Sequence, residues 1–172
     1  MSYANNRIKI EGVEIWWPNF SGAPTRFNPN GGTRLFNVLL PEDDTFVEYL
    51  RKNVGFNIYT REPKEDGEVF QNLLEVKVRL DTARPAIVYA IRGHNSDNPR
   101  KILLTEASIG MLDNLPILYA DLILNPYPWN VSGNSGFKPY LVKGFFVIDE
   151  DDLDEKYADM EEVFCPLTNN ED

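Results

Sequence analysis

The sequence predicts a mainly β, antiparallel protein built as a barrel or a sandwich. Three observations carry this expectation. Seven or eight short segments rich in β-branched and aromatic residues are spaced by turn-forming stretches. Only one segment reads as a clear helix. No strand–helix–strand alternation appears, which argues against a doubly wound parallel sheet. A five-stranded Greek-key barrel with elaborated hairpins fits, the helix plugging one end, and a sandwich fits the strand count nearly as well.

The segments follow in order. RIKIEGVEIWW, Arg7 to Trp17, carries Ile8, Ile10, Val13 and Ile15 and reads as a strand with a bulge or bend at Gly12. Pro18 is expected to end it. Residues 18–33 hold three prolines and three glycines among them and read as a loop. RLFNVLL, from Arg34, is a second strand.

Pro41 to Asp44 then opens a helix, because acids in a first turn complement the helix dipole. Phe46, Val47 and Leu50 give it an apolar stripe, Arg51 and Lys52 close it, and Gly55 ends it. GFNIYT is a short strand, and REPKEDGE is a polar turn.

NLLEVKVRL alternates: Leu74, Val76, Val78 and Leu80 face one way, and Glu75, Lys77 and Arg79 the other. AIVYAIR and Lys101–Leu104 make a hairpin across GHNSDNP. TEASIGML is one short helical segment. The last two strands, Leu115–Asn125 and Pro139–Asp149, are joined by an aromatic loop. No internal repeat is visible.

A chain of 172 residues fits one domain able to bury a core. No apolar run approaches the roughly 20 residues that span a bilayer, and MSYANNRIKIEG lacks the apolar stretch of a signal peptide, so a cytoplasmic, non-membrane protein is expected. One cysteine, Cys165, excludes an internal disulfide, and one histidine, His94, excludes histidine-rich metal sites. A Cys165–His94 catalytic pair has nothing local to hold it in register. Phosphate-loop, nucleophile-elbow and zinc-protease motifs are missing. Acidic runs at Asp43–Asp44 and from Asp149 read as a helix start and a solvated face rather than a Mg²⁺ site. No enzyme and no cofactor are expected.

The net charge of -10 is unevenly spread. Of 27 acidic residues, eleven lie in residues 149–172, where Lys156 is the one base among 17. Residues 1–148 therefore carry sixteen charges of each sign. The expected organisation is a neutral domain over 1–148 and an acidic, flexible tail over 149–172. The tail also holds Leu153, Tyr157, Met160, Val163 and Phe164, which suit a docking peptide better than a pure solubiliser.

Aromatics and bases gather at two places. Trp16, Trp17, Phe20 and Phe27 lie on or beside the first loop, with Arg26 and Arg34. Tyr127, Trp129, Phe137 and Tyr140 lie around the last hairpin, with Lys138 and Lys143. Flat rings stack on bases and cations meet phosphates, which is the chemistry single-stranded nucleic acid needs. Core packing competes with stacking at every ring taken alone, and Phe36, Phe46, Tyr89, Phe145 and Phe146 are assigned to the core or the strand faces. Adjacent on a strand, Trp16 and Trp17 are expected on opposite faces, so at most one is fully inside a single-layer core.

Two blocks also resemble a known family. N-F-S-G…F-N…G-G-x-R-x-F-x-V-x-L runs from Asn19 to Leu39, and Y-x-W-x-V-x-G-x-x-G-x-K-x-Y-L from Tyr127 to Leu141. With the apolar strand and acidic end that follow, the chain resembles bacteriophage single-stranded-DNA-binding proteins of the OB-fold type. The resemblance implies an OB-like antiparallel Greek-key barrel with one or two short helices, and ssDNA binding without strong sequence preference. It implies a role in phage DNA replication or recombination in the host cytoplasm. It also implies a tail that engages replication or recombination proteins through Asp149, Asp151, Asp152, Leu153 and Tyr157.

On the matching positions the DNA-facing candidates are Phe20, Arg26, Phe27, Arg34, Tyr127, Trp129, Lys138 and Tyr140, to which Trp17 is added from the tryptophan pair. The neutral body departs from a typical nucleic-acid binder. A homodimer is left open, and the competing reading is a non-enzymatic phage protein-interaction or structural β-domain.

Overall fold

A computed structural model describes residues 7–67, 69–149 and 160. Eight strands form one sheet: β1 (Ile8–Asn19), β2 (Arg34–Leu39), β3 (Tyr59–Arg61), β4 (Gln71–Val78), β5 (Ile87–Arg92), β6 (Arg100–Leu104), β7 (Ile117–Val131) and β8 (Asn134–Ile148). The order is β3-β4-β2-β1-β7-β8-β5-β6. A further β4–β8 pairing, parallel at Lys77 opposite Tyr140, closes β1, β2, β4, β8 and β7 into a barrel. Numbered along the chain, those five strands close in the order 1-2-3-5-4. This is the five-stranded Greek-key barrel of the OB type, and the sandwich alternative is set aside.

The core follows from alternation. Ile8, Ile10 and Val13 of β1, Phe36 and Val38 of β2, Leu74, Val76 and Val78 of β4, and Leu122 and Leu124 of β7 all point inward and are buried. At its centre three phenylalanines pack on one another. Phe20 stacks on Phe36 at 5.3 Å between ring centroids, and both meet Phe146 edge-on, at 5.1 and 5.5 Å. Aromatic pairs of this geometry add about 0.5–1.5 kcal/mol beyond their buried area.

The expected bulge at Gly12 is present. Its φ is +67°, the β1–β7 register shifts between Ile10 and Val13, and the freed Gly12 N–H donates to Asp121 Oδ1 at 2.8 Å. Pro18 does not end β1, which runs on to Asn19 through a second register shift. At that shift Trp17 takes φ +49°, a left-handed conformation that bulky residues rarely adopt. The alternation of side chains breaks there.

The helix starts as predicted, with Asp43 accepting from the Phe46 N–H at 3.2 Å. Its α-helical part, α1, covers only Asp44–Glu48 and continues as a π-helical turn over Tyr49–Val54. Gly55, at φ +92°, ends it. The second helical segment is a 3₁₀ helix at Ile109–Asn114. Among the described residues no helix is long and apolar enough to cross a membrane.

The largest difference from the sequence reading lies in the last hairpin. Residues 126–138 are not a loop. They extend β7 and β8 into an arm that pairs continuously to Val131 opposite Asn134. The turn is Ser132-Gly133, both with positive φ, as a two-residue hairpin requires. Three prolines fit because Pro126 faces Pro139 and Pro128 faces Phe137, at non-hydrogen-bonded positions of one parity where no N–H is needed. Asp151, Asp152, Leu153 and Tyr157 of the expected tail lie outside the described residues. Asp149 is described, its N–H donating to the Pro116 carbonyl at 2.8 Å.

Candidate nucleic-acid interface

The outer face of β2 and β4 lies beneath this arm. Inward Val76 and Leu74 put Glu75, Lys77 and Leu73 on the outside of β4, and Asn37 on β2 stands opposite Glu75. A cleft of about 480 Å³ opens over them, walled by Trp17, Tyr59, Trp129, Phe137 and Lys138. Leu73 is its apolar floor, buried although it faces outward.

The arm brings Trp129 and Lys138 to this cleft by strand pairing. Trp129 faces Gly136, and the indole lies across that glycine so closely that a Cβ there would stand 3.0 Å from Trp129 Nε1. Lys138 lies opposite Tyr127 with its ammonium 5.9 Å from the Trp129 ring. Tyr127, 56% exposed, stacks on Tyr140 at 5.2 Å.

A second cleft, of about 570 Å³, is lined by Arg34, Lys77, Arg79, Asp81, Glu106 and Tyr140. Lys77 lines both clefts, so they form one track. Arg79 donates to Asp81 at 3.2 Å. Asp81, and after it Tyr140, raise the Arg79 pKa above the usual guanidinium range, while Arg79 holds the Asp81 carboxyl below the usual carboxylate range. Lys77 Nζ lies 3.9 Å from Glu75 Oε1. Along the track Arg34, Lys77, Arg79 and Lys138 face Glu75, Asp81 and Glu106, so cations outnumber acids by one.

The loop between β1 and β2 borders the second cleft through Gly32 and Thr33. It is braced both by the 3₁₀ helix and from within. Asp113 accepts from the Phe20 and Ser21 N–H groups at 2.7 and 3.0 Å, Asn19 accepts from the Ala23 N–H at 3.0 Å, and Asn28 Nδ2 donates to Thr33 Oγ1 at 2.9 Å. Its tip presents Phe27, 88% exposed, with the Arg26 guanidinium 5.2 Å from the ring centroid.

The structure thus brings Trp17, Trp129 and Lys138 into one cleft and Arg34 and Tyr140 into its neighbour, with Tyr127 stacked beside them. Arg26 and Phe27 stand on the bordering loop and line neither cleft. Phe20 is a correction. It is fully buried against Phe36 and Phe146 and has no face to offer a base. The Trp16–Trp17 expectation is also corrected: the left-handed turn at Trp17 sets the two rings edge to face, 5.5 Å apart, instead of on opposite faces.

The sequence does not mark Lys77, Arg79, Tyr59 or Asn37 as site residues. The alternation of NLLEVKVRL marks Lys77 and Arg79 as outward, but not that a hairpin arm roofs that face. Among the described residues no cluster of metal-ligating side chains occurs.

An OB-type barrel binds ligands on the face of its second and third strands, between its 1–2 and 4–5 loops. The track lies on that face, since β2 and β4 are those strands and the β7–β8 arm is the elongated 4–5 connection. Fold and site together define an OB-type barrel with an aromatic and cationic groove. The sequence matches the family described as "Putative phage ssDNA-binding domain" over residues 2–170, and the chain belongs to that family.

Among solved structures, the fold is similar to that of the single-stranded DNA-binding protein from bacteriophage Enc34 in complex with ssDNA. The TM-score is 0.51 at 10% identity, covering 86% of this chain and 89% of that one. A C-terminal truncation of the same phage protein matches with a TM-score of 0.50 at 12% identity, covering 86% and 88%. None of the curated proteins matches the chain.

Proposed function

We infer that the protein binds single-stranded DNA along the outer face of β2 and β4, beneath the β7–β8 arm, without strong sequence preference. The observation that carries this reading is the single cleft lined by the rings of Trp17, Tyr59 and Trp129 together with Lys77 and Lys138. Rings of this kind contribute about 1–3 kcal/mol per stacked base and accept any base, because every base has a π-face. Arg34 and Arg79 extend the cationic line into the second cleft. Family membership and the Enc34 protein, solved with ssDNA, support the same reading.

The mechanism is noncatalytic. Cations neutralise phosphates, rings hold the bases apart, and the strand is kept extended and protected during phage replication or recombination in the host cytoplasm. Few cations in excess mean few phosphates neutralised, and each contributes about 0.7 to the slope of log K against log salt for a single strand. The acidic segment from Asp149 is assigned two roles on its charge: competing with DNA for this groove and recruiting partner proteins.

Titration of the tryptophan fluorescence with oligo(dT) tests the reading. Stacking on Trp17 and Trp129 quenches the emission, and the quench weakens with salt. An emission unchanged by saturating oligo(dT) at low salt contradicts ssDNA binding in this groove. Deletion of residues 149–172 is expected to raise the affinity at low salt, and an unchanged affinity removes the competing role.

A further inference from the structure

We propose that the track continues past Trp17 into a separate nucleotide subsite built by Trp16 and Arg61, so that one bound strand occupies three consecutive clefts. This rests on the ssDNA reading above and lengthens its site. The subsite is a cleft of about 480 Å³ lined by Trp16, Arg61, Glu62, Lys64 and Gln71, at the end of β3 and the start of β4. The Arg61 guanidinium stands 5.8 Å from the Trp16 ring centroid. The guanidinium lies over the ring, so a bound nucleotide replaces this cation–π contact, its base taking the indole and its phosphate the displaced guanidinium.

Two observations join this cleft to the main one. First, Trp16 lines it while Trp17 lines the cleft beneath the arm, and the two rings touch edge to face at 5.5 Å. Second, that contact occurs where Trp17 takes φ +49° at the register shift between Trp16 and Asn19. In a regular strand the two indoles would lie on opposite faces of the sheet. A bulky residue persists in the left-handed region only where its surroundings hold it there, and such residues cluster at ligand sites. Here the conformation turns two adjacent indoles into one stepped platform bridging the clefts. β3 lies outside the five barrel strands, so this subsite is an addition to the barrel's own ligand face.

The test measures affinities for oligo(dT) of two lengths, about 4 and about 16 nucleotides, the range of site sizes of one OB fold. The full-length chain is compared with Trp16→Ala, Trp16→Phe, Arg61→Gln and Trp129→Ala. Trp16→Ala is expected to lose about 5- to 150-fold on the long oligonucleotide and nothing on the short one, which the main groove satisfies alone. Trp16→Phe, which keeps a stacking ring, recovers most of that loss. Arg61→Gln lowers the salt slope on the long oligonucleotide by about 0.7.

Unchanged long-oligonucleotide affinity in both Trp16→Ala and Arg61→Gln overturns the subsite while leaving the main groove standing, provided that Trp129→Ala weakens both lengths. Equal losses on both lengths in Trp16→Ala also overturn it, because Trp16 then belongs to the main groove or to the fold. If the wild-type chain binds neither length, the ssDNA reading itself fails, and the subsite fails with it.

Discussion

The Phe137 ring lies on Gly55, so that a Cβ at residue 55 would stand 2.9 Å from Phe137 Cδ2. The Phe137 N–H donates to the Gly55 carbonyl at 3.2 Å, and Phe56 bridges to Phe137. The arm that roofs the groove is therefore latched to the end of the helix. Gly55→Ala meets both the ring and a φ of +92°. It is expected to cost about 1 kcal/mol or more, lowering Tm by about 2–4 °C per kcal/mol. It also weakens oligo(dT) binding by freeing the arm. Thermal denaturation beside an affinity titration checks both effects.

The indole of Trp129 packs across Gly136. Gly136→Ala pushes the indole of Trp129 off its strand, because the new Cβ meets Nε1 at 3.0 Å. The arm's tip is solvent-exposed, so Tm is expected to change little while oligo(dT) affinity drops several-fold. Equal affinity in the variant would mean that Trp129 holds no base in this orientation.

Asp81 offsets Arg79 within the second cleft. Asp81→Asn removes that charge and leaves Arg79 to DNA. Tighter binding at low salt and a steeper salt slope, by up to about 0.7, are expected. The ion pair is exposed, so its loss costs little stability. Its contribution has a definite sign: a carboxyl whose folded pKa is lowered stabilises above its ordinary pKa, and that contribution disappears as pH falls through the folded value.

Phe20 and Phe27 separate core from surface within one loop region. Phe20→Ala empties the centre of the phenylalanine cluster and is expected to cost about 3–5 kcal/mol. Phe27→Ala, at a ring 88% exposed, leaves Tm unchanged. Denaturant titration of the two variants distinguishes them. A Tm loss in Phe27→Ala would place its ring against the protein.

Where a side chain's fate is set by its own strand, the sequence was legible. Alternation over Leu74, Val76 and Val78 sorted β4 correctly, Asp43 and Gly55 marked the ends of the helix, and Gly12 marked a bulge. What failed depends on partners far along the chain. Phe20 sits among loop residues, yet Asp113 pins the backbone there and turns the ring into the barrel. Pro126 and Pro128 suggest a loop, yet they sit in an arm because they and Pro139, on the facing strand, share one parity. Trp17 cannot be read as left-handed from its neighbours, since nothing local favours that conformation for an indole. Trp129, Lys138 and Tyr140 were found by chemistry, whereas Lys77 and Arg79 became visible only once β8 closed the barrel beside them.

A second aromatic surface makes the central claim open to a direct test. On the outer face of β5 and β8, Tyr89 stacks on Phe145 at 5.3 Å, with the Lys101 ammonium 4.7 Å from the Tyr89 ring centroid. Rings and a cation alone would suit DNA there as well. Photocrosslinking of bromodeoxyuridine oligonucleotides, mapped by mass spectrometry on the full-length chain, separates the two faces. Crosslinks at Trp17, Tyr59 and Trp129 are the predicted result, and crosslinks confined to Tyr89 and Phe145 would contradict a groove beneath the β7–β8 arm.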